Sequence, residues 1–219
     1  MCEPDLSMEW RTSPNGYVPT MGNDSITDLQ AVRTILGRAF ADDPLMQWIF
    51  PDEAHRQELT AAWLGLFAEG YMSGGRVDTI TDSRGAVVAV ALWKIPSDVE
   101  VSMPTLPGPL QFLGAVLDPD RFDVVVGSFV SFVEHWPDKP HAYLALLAVD
   151  PDQQGCGLGK QVVRSGIEEA VALGLDVALE TNKIGNVDFY RSLGFEITGE
   201  YVMGPDGPRG WSLRLPAGN

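Results

Sequence analysis

The chain has 219 residues, 45% of them hydrophobic, with 30 acidic against 15 basic side chains and a formal charge of −15. A field of that sign repels polyanions and attracts cations, so nucleic acid is not an expected partner. No apolar run reaches the ~20 residues that a membrane helix needs, and the opening MCEPDLSMEW lacks the basic start and apolar stretch of a secretory leader; a cytoplasmic protein without membrane contact is expected.

Residues 1–15 mix Pro, Asn, Gly and charge without a period and are expected to form a mobile tail, leaving 16–219 as a single domain. GYVPTM reads as a short first strand. SITDLQAVRTILGRAF places Leu29, Val32, Ile35, Leu36, Ala39 and Phe40 at helical spacing behind a Ser25 or Thr27 cap. ADDPLMQWIFPDEAHR is an acidic connection with a short helical middle, and HRQELTAAWLGLFAEGYM is a second amphipathic helix stopped by Gly74 and Gly75. RVDTITD and AVVAVALWKI, joined by SRG, read as an antiparallel hairpin.

PSDVEVSMPTLPGP then leads into helical stretches between 109 and 134, within which FDVVVGSFV fits a strand or a helix equally well. HAYLALLAV is a buried strand, and LGKQVVRSGIEEAVALG is a helix with positions 158, 162, 163, 167, 170 and 171 on its apolar face. LDVALET is a strand, NVDFYRSLG a short helix, and FEITGEYVM and GWSLRL are strands about the turn GPDGPR. This order predicts an α/β domain, a mixed sheet with helices on both faces. The tryptophans are read as core, with some lining an acceptor pocket.

Between the buried strand and its following helix lies AVDPDQQGCGLGKQ. Glycines that end a strand and open a helix expose unpaired N–H groups, and with the helix dipole these favour an anion such as a pyrophosphate. Lys160, Arg164, Lys183 and Arg191 supply local positive charge in or after the loop. A nucleotide-triphosphate loop fails on spacing, since Gln154 stands where its first glycine belongs and Gln161 where Ser or Thr belongs. A dinucleotide fingerprint fails too, because Gly155, Gly157 and Gly159 simply alternate.

Gln154-x-x-Gly157-x-Gly159 directly after a strand ending in Val149 resembles the GNAT superfamily of acetyl-CoA-dependent N-acyltransferases. So does LETNKIGNVDFYRSLGF, through Asn186, Tyr190 and Gly194-Phe195. Across residues 29–214 the chain is most similar to the puromycin N-acetyltransferase-like branch, on AVRTILGRAFADDP, VDPDQQGCGLG, LETN, NVDFYRSLGF and GPDGPR. The resemblance implies the GNAT fold, with a mostly antiparallel central sheet.

It further implies that pantetheine lies along the backbone of Leu147, Ala148 and Val149. Amides of Gln154, Gly155, Cys156, Gly157, Leu158, Gly159 and Lys160 would hold the pyrophosphate, and Asn186 and Tyr190 would face the cofactor. Tyr190 is then a general acid, although its spacing also suits core beside Phe189, Leu193 and Phe195. Glu180 is a candidate general base or a hydrogen-bonded carboxylate at the sheet end; His141 is a second candidate base or a structural residue. Asp42 and Asp43 either bind a cationic amine or cap a helix.

His55, His135 and His141 share no short zinc spacing, so no metal is expected, and Cys156 is not read as a nucleophile. The function expected is acetyl transfer from acetyl-CoA to a primary amine of a small cationic molecule, in a ternary complex, by a monomer or homodimer. A protein N-terminus or lysine is the alternative acceptor; a closed pocket lined by residues 40–50 and 105–135 would argue for the small molecule. A CoA-binding sensor without turnover is the alternative from another class.

Overall fold

Aspartates start four of the helices by accepting a backbone N–H from the first turn, the group that a helix cannot satisfy internally. Asp28 caps α1 (Leu29–Phe40), Asp43 caps α2 (Pro44–Ile49), Asp52 caps α3 (Glu53–Gly74) and Asp118 caps α5 (Pro119–Ser128). The computed structural model describes residues 28–96 and 107–218. The expected tail, the GYVPTM strand and both Ser25 and Thr27 lie outside the described residues; the cap of α1 is Asp28, whose side chain accepts from Gln30 N at 2.8 Å. FDVVVGSFV is helical: Asp118 and Pro119 open α5, and α6 (Val130–Val133) follows it. The remaining helices are α4 (Pro107–Val116), α7 (Leu158–Ala172) and α8 (Ile184–Arg191).

Six strands form one sheet: β1 (Arg76–Thr81), β2 (Val87–Lys94), β3 (His141–Val149), β4 (Asp176–Thr181), β5 (Glu196–Val202) and β6 (Arg209–Leu215), in the order β1-β2-β3-β4-β6-β5. Only the β3–β4 neighbours run parallel, linked through α7; all other pairs are antiparallel. The expected mixed, mostly antiparallel sheet is therefore present.

Side chains alternate across a strand, so a central strand covered on both faces reads as a continuous apolar run. β2 is such a strand. Val90 and Leu92 join the core under α1 to α5, with Val32, Leu36, Trp63 and Leu64, whereas Ala89, Ala91 and Trp93 join the opposite core with Val162 and Val163 of α7 and Val187 of α8. Val171, which the sequence pattern puts on the apolar face of α7, is 44% exposed. It lies one residue, about 100° of turn, past the buried Ala170 and so falls beyond the edge of the contact.

Gly166 sets the distance between α7 and the sheet. A Cβ there would lie 2.4 Å from Trp93 Cε2, and Trp93 is fully buried with no room to yield. Gly166→Ala is therefore expected to destabilise the fold by ~1–3 kcal/mol despite alanine's better helix propensity. Denaturant unfolding measures it; an unchanged midpoint would contradict this packing.

Candidate active site

β3 and β4 pair only over His141–Tyr143 and Asp176–Ala178, and beyond that point they part. The cause is visible in the register with β2. Trp93 pairs with Leu144 and Leu92 with Leu146, so Ala145 is an extra residue, a bulge that bends β3 away from its parallel neighbour. The bulge also reverses which way the side chains point: Ala142 and Leu144 belong to the α7 side, but Ala148 belongs to the α1 side. A wedge between parallel strands results, with one edge of Leu144–Val149 left without a strand partner.

The glycine loop stands at the mouth of this wedge. Asp150 caps a short 3-10 turn, Pro151–Gln153, and Gln154 Nε2 donates back to Val149 O at 3.3 Å. Gly155 and Gly157 both take φ +78°, left-handed backbone that side-chain-bearing residues rarely adopt, and a Cβ on either would meet nothing within 4 Å. Space is not what requires these glycines; conformation is. Gly157 then starts α7 with no side-chain cap, so the N–H groups of its first turn point outward uncompeted.

Those donors open on a cleft of about 430 Å³. One wall is Leu147, Val149 and the loop from Gln154 to Lys160; α8 contributes Asn186, Phe189 and Tyr190, with Lys183 at its start. Ala39, Phe40 and Asp43 close the third side. Uncapped amides, bare glycine and two lysines form a donor set suited to a diphosphate, and the apolar wall of Leu147, Val149 and Phe189 suits an aliphatic arm.

Most of the expected cofactor residues meet here. Gln154, Gly155, Gly157, Leu158, Gly159, Lys160, Leu147, Val149, Asn186 and Tyr190 all line the cleft. Ala148 does not: its buried side chain points to the opposite face, so it offers the cleft backbone only. Cys156, between the two left-handed glycines, is not among the lining residues either. Asn186 Nδ2 donates to Thr181 Oγ1 at 3.1 Å, which ties the start of α8 to the end of β4. Tyr190 is 6% exposed, packed edge-on to Phe189 and Phe195, yet lines the cleft. Tyr190 is thus packed in the core and borders the cleft at once. Burial, and next the charge of Asp43, hold its hydroxyl far above the usual tyrosine range, so it stays protonated at every physiological pH.

Glu180 lies on the other side of the wedge. Trp136 Nε1 donates to its Oε1 at 2.5 Å and Tyr143 Oη to its Oε2 at 2.7 Å. Burial raises the Glu180 carboxyl to about 7, against the pull of those two bonds. It is both a hydrogen-bonded carboxylate and one poised to exchange a proton near neutrality.

Three further candidate residues stand away from the cleft or are engaged in local bonds. His141 stands at the closed end of the wedge, away from the cleft, its Nδ1 on Lys139 O at 2.9 Å and its ring edge-on to Trp136. Asp42 is exposed and lines nothing. Asp43 does line the cleft, but its Oδ1 accepts Leu45 N at 2.9 Å and its charge sits beside Lys183 and Tyr190, on the cofactor side. There it is a helix cap before it is an anchor for an amine.

Arg38 was not visible as a site residue. Its Nη1 reaches Asp150 Oδ2 at 2.5 Å and its Nη2 reaches Asp152 Oδ2 at 2.8 Å, so one guanidinium joins the last turn of α1 to the turn before the glycine loop. Two walls of the cleft are thereby tied, and two carboxylates beside an anion site are neutralised. A lysine cannot span both carboxylates in this way.

With coenzyme A as the diphosphate ligand that the sequence resemblance implies, Arg38→Ala is expected to weaken its binding about tenfold, Arg38→Lys to recover only part, and Asp152→Asn placed in the Arg38→Ala background to recover more. Calorimetric titration decides it, and equal affinity in all four proteins would refute the tie. Gly157→Ala, costing ~1–2 kcal/mol in a left-handed position, is expected to act on the same titration more than on the melting temperature.

Residues 105–195 match the sequence profile of the acetyltransferase (GNAT) family. L-methionine sulfoximine/L-methionine sulfone acetyltransferases of Pseudomonas paraeruginosa and Pseudomonas aeruginosa are 44% identical over 55 residues, 24% of this chain and 32% of theirs. The match thus spans about a third of the length of these curated relatives. The crystal structure of histone acetyltransferase HPA2 and related acetyltransferase from Corynebacterium glutamicum superposes with TM-score 0.65 at 25% identity, covering 92% of this chain and 96% of that one. A phosphinothricin acetyltransferase from Sinorhizobium meliloti, in complex with AcCoA, shares the fold at TM-score 0.51 and 16% identity, over 89% of this chain and 86% of that one. Residues 105–195 thus resemble the GNAT acetyltransferases in sequence, and the described chain resembles acetyltransferases of solved structure in fold.

Proposed function

We propose that the protein is an N-acetyltransferase that moves the acetyl group of acetyl-CoA directly to a primary amine of a small cationic molecule, within a ternary complex. The observation that carries the reading is the wedge itself: a diphosphate-type donor set and a protonated tyrosine on one side, a proton-accepting carboxylate on the other, with a gap between the strands joining them. The sequence resemblance to the puromycin N-acetyltransferase-like branch, the Pseudomonas relatives and the AcCoA-bound Sinorhizobium neighbour support it.

Acetyl-CoA, when bound, supplies a thioester carbonyl and a thiolate leaving group. The residues present divide the remaining work. Amides of the loop and the first turn of α7, with Lys160 and Lys183, hold the diphosphate. The unpaired edge of Leu147 to Val149 aligns the pantetheine arm as a further strand would, and its N–H groups polarise the carbonyl. Glu180 takes the proton that the ammonium must lose before its nitrogen can attack. As the C–N bond forms and the C–S bond breaks, Tyr190, kept protonated by burial, gives a proton to the departing sulfur, and the second proton shed by the nitrogen restores it.

Because the base acts deprotonated, kcat/KM is expected to fall as pH drops through about 7, the value to which burial raises Glu180, and to level off above it. Glu180→Gln should remove this limb and lower kcat/KM by ~10²-fold; Tyr190→Phe should lower kcat by a similar factor with little change in the acetyl-CoA KM. Thiol-release kinetics from pH 5.5 to 9 measure all three, and full turnover by either variant would overturn its assignment.

A further inference from the structure

The face of the sheet that carries Glu180 is furnished with aromatic rings. Glu180 pairs in register with Ser212 of β6, and Ser212 with Gly199 of β5, so their side chains share one face; Tyr201, two residues on, shares it too. Onto this face comes the segment that follows α6. His135 occupies the space over Gly199, where a Cβ would fall 2.0 Å from its Cδ2, and it stacks on Tyr201 with ring centroids 5.8 Å apart. Trp136, next in sequence, bonds Glu180 and tilts against Tyr143 at a centroid distance of 4.9 Å. From α3 comes the buried Tyr71, whose hydroxyl is raised to about 12 by burial and, to a smaller extent, by the charge of Glu180. Burial first, and next the same charge, raises the hydroxyls of Tyr143 and Tyr201.

Two further observations bear on what this arrangement accepts. Ser212 Oγ, directly opposite Glu180, is buried and has no hydrogen-bond partner among the described residues. Glu180 has no lysine or arginine partner among the described residues: its bonds come from a phenol and an indole, and no cation enters the causes of its shift. A carboxylate inside an aromatic surround attracts an ammonium by charge and by the ring faces together. The same surround holds no lysine or arginine among the described residues to pair with a second carboxylate, which would be desolvated beside a like charge.

We infer that the acceptor nitrogen docks on Glu180 and Ser212 within the box of Tyr71, Tyr143, Tyr201 and Trp136, and that the acceptor is an amine on an apolar or aromatic stem with no carboxylate on the carbon that bears it. This rests on the acetyltransferase reading and narrows it. It also separates this chain from the α-amino-acid acceptors in the names of its Pseudomonas relatives.

The test uses matched pairs that differ only by that carboxylate: phenethylamine and phenylalanine, tyramine and tyrosine, 3-(methylthio)propylamine and methionine. Thiol release from acetyl-CoA is expected to show kcat/KM at least tenfold higher for the carboxylate-free member of a pair. Equal or better turnover of the amino acids would refute the box while leaving acetyl transfer standing. Calorimetry of phenethylamine against the CoA-saturated protein reads binding separately, in the parent chain, Glu180→Gln and Tyr201→Leu. Binding that is lost in Glu180→Gln and weakened at least fivefold in Tyr201→Leu, without any thiol release, would support the box and refute the transfer. No binding in the parent chain, or binding unmoved by either substitution, would refute the box. Melting curves of both variants exclude loss of fold as the cause.

Discussion

A backbone N–H or C=O removed from water without a partner costs free energy comparable to a lost hydrogen bond, and a sheet normally avoids that cost by continuing to pair. β3 and β4 stop pairing after Tyr143 and Ala178, although both strands continue. The parting is held from several directions. The bulge at Ala145 turns β3, α7 is fixed over β2 by the fit of Gly166 to Trp93, and Asn186 with Thr181 ties α8 to the far side of the gap. What the fold forgoes in ladder bonds it keeps as an unpaired edge, flanked by glycine amides at one end and a buried carboxylate at the other.

The electrostatics of the site run against those of the chain. At a formal charge of −15 the long-range field disfavours a diphosphate, so the loop must be favourable over a few ångströms. Lys160 and Lys183 contribute, and so does Arg38 by occupying Asp150 and Asp152. Two unit charges ~6 Å apart in a partly protein-filled surround interact by about 3 kcal/mol, so leaving the half-buried Asp150 unpaired beside an anion matters on the scale of a binding energy, whereas the exposed Asp152 is screened by solvent. Glu180 shows the opposite arrangement. Its surround is aromatic and lacks a fixed cation among the described residues, and burial there raises its carboxyl to about 7 against two hydrogen bonds.

The local features of the chain were legible because each is set by a few consecutive residues. The apolar periods of α1 and α7, the continuous run of β2 and the glycine–helix junction all name their structure within a window of a dozen residues, and Asn186 and Tyr190 share a face through helical spacing alone. What escaped depends on contacts between distant segments. Arg38 looks like a solvated last-turn arginine until Asp150 comes beside it, and Trp136 and Tyr143 read as an ordinary tryptophan and an ordinary strand residue until both reach Glu180. Asp43 was ambiguous for a related reason: a residue before a proline-led helix reads as a cap whichever cavity it borders. Val171 and the strand-like FDVVVGSFV show the other limit, where composition suits two outcomes and a neighbouring cap or one more step of helical rotation decides.

His135 rests where Gly199 has no side chain, and Trp136 beside it completes the surround of Glu180, so the stretch from α4 to Trp136 is seated on one face of the sheet while the glycine loop and α8 occupy the other. On the acetyltransferase reading proposed above, donor and acceptor are met on opposite faces of the sheet, and the stretch from α4 to Trp136 touches the acceptor's face alone. Exchange of side chains in that stretch can change the molecule modified and leave the common cosubstrate's seat untouched. One scaffold can in this way diversify across many small amines without relearning how to hold its acyl donor.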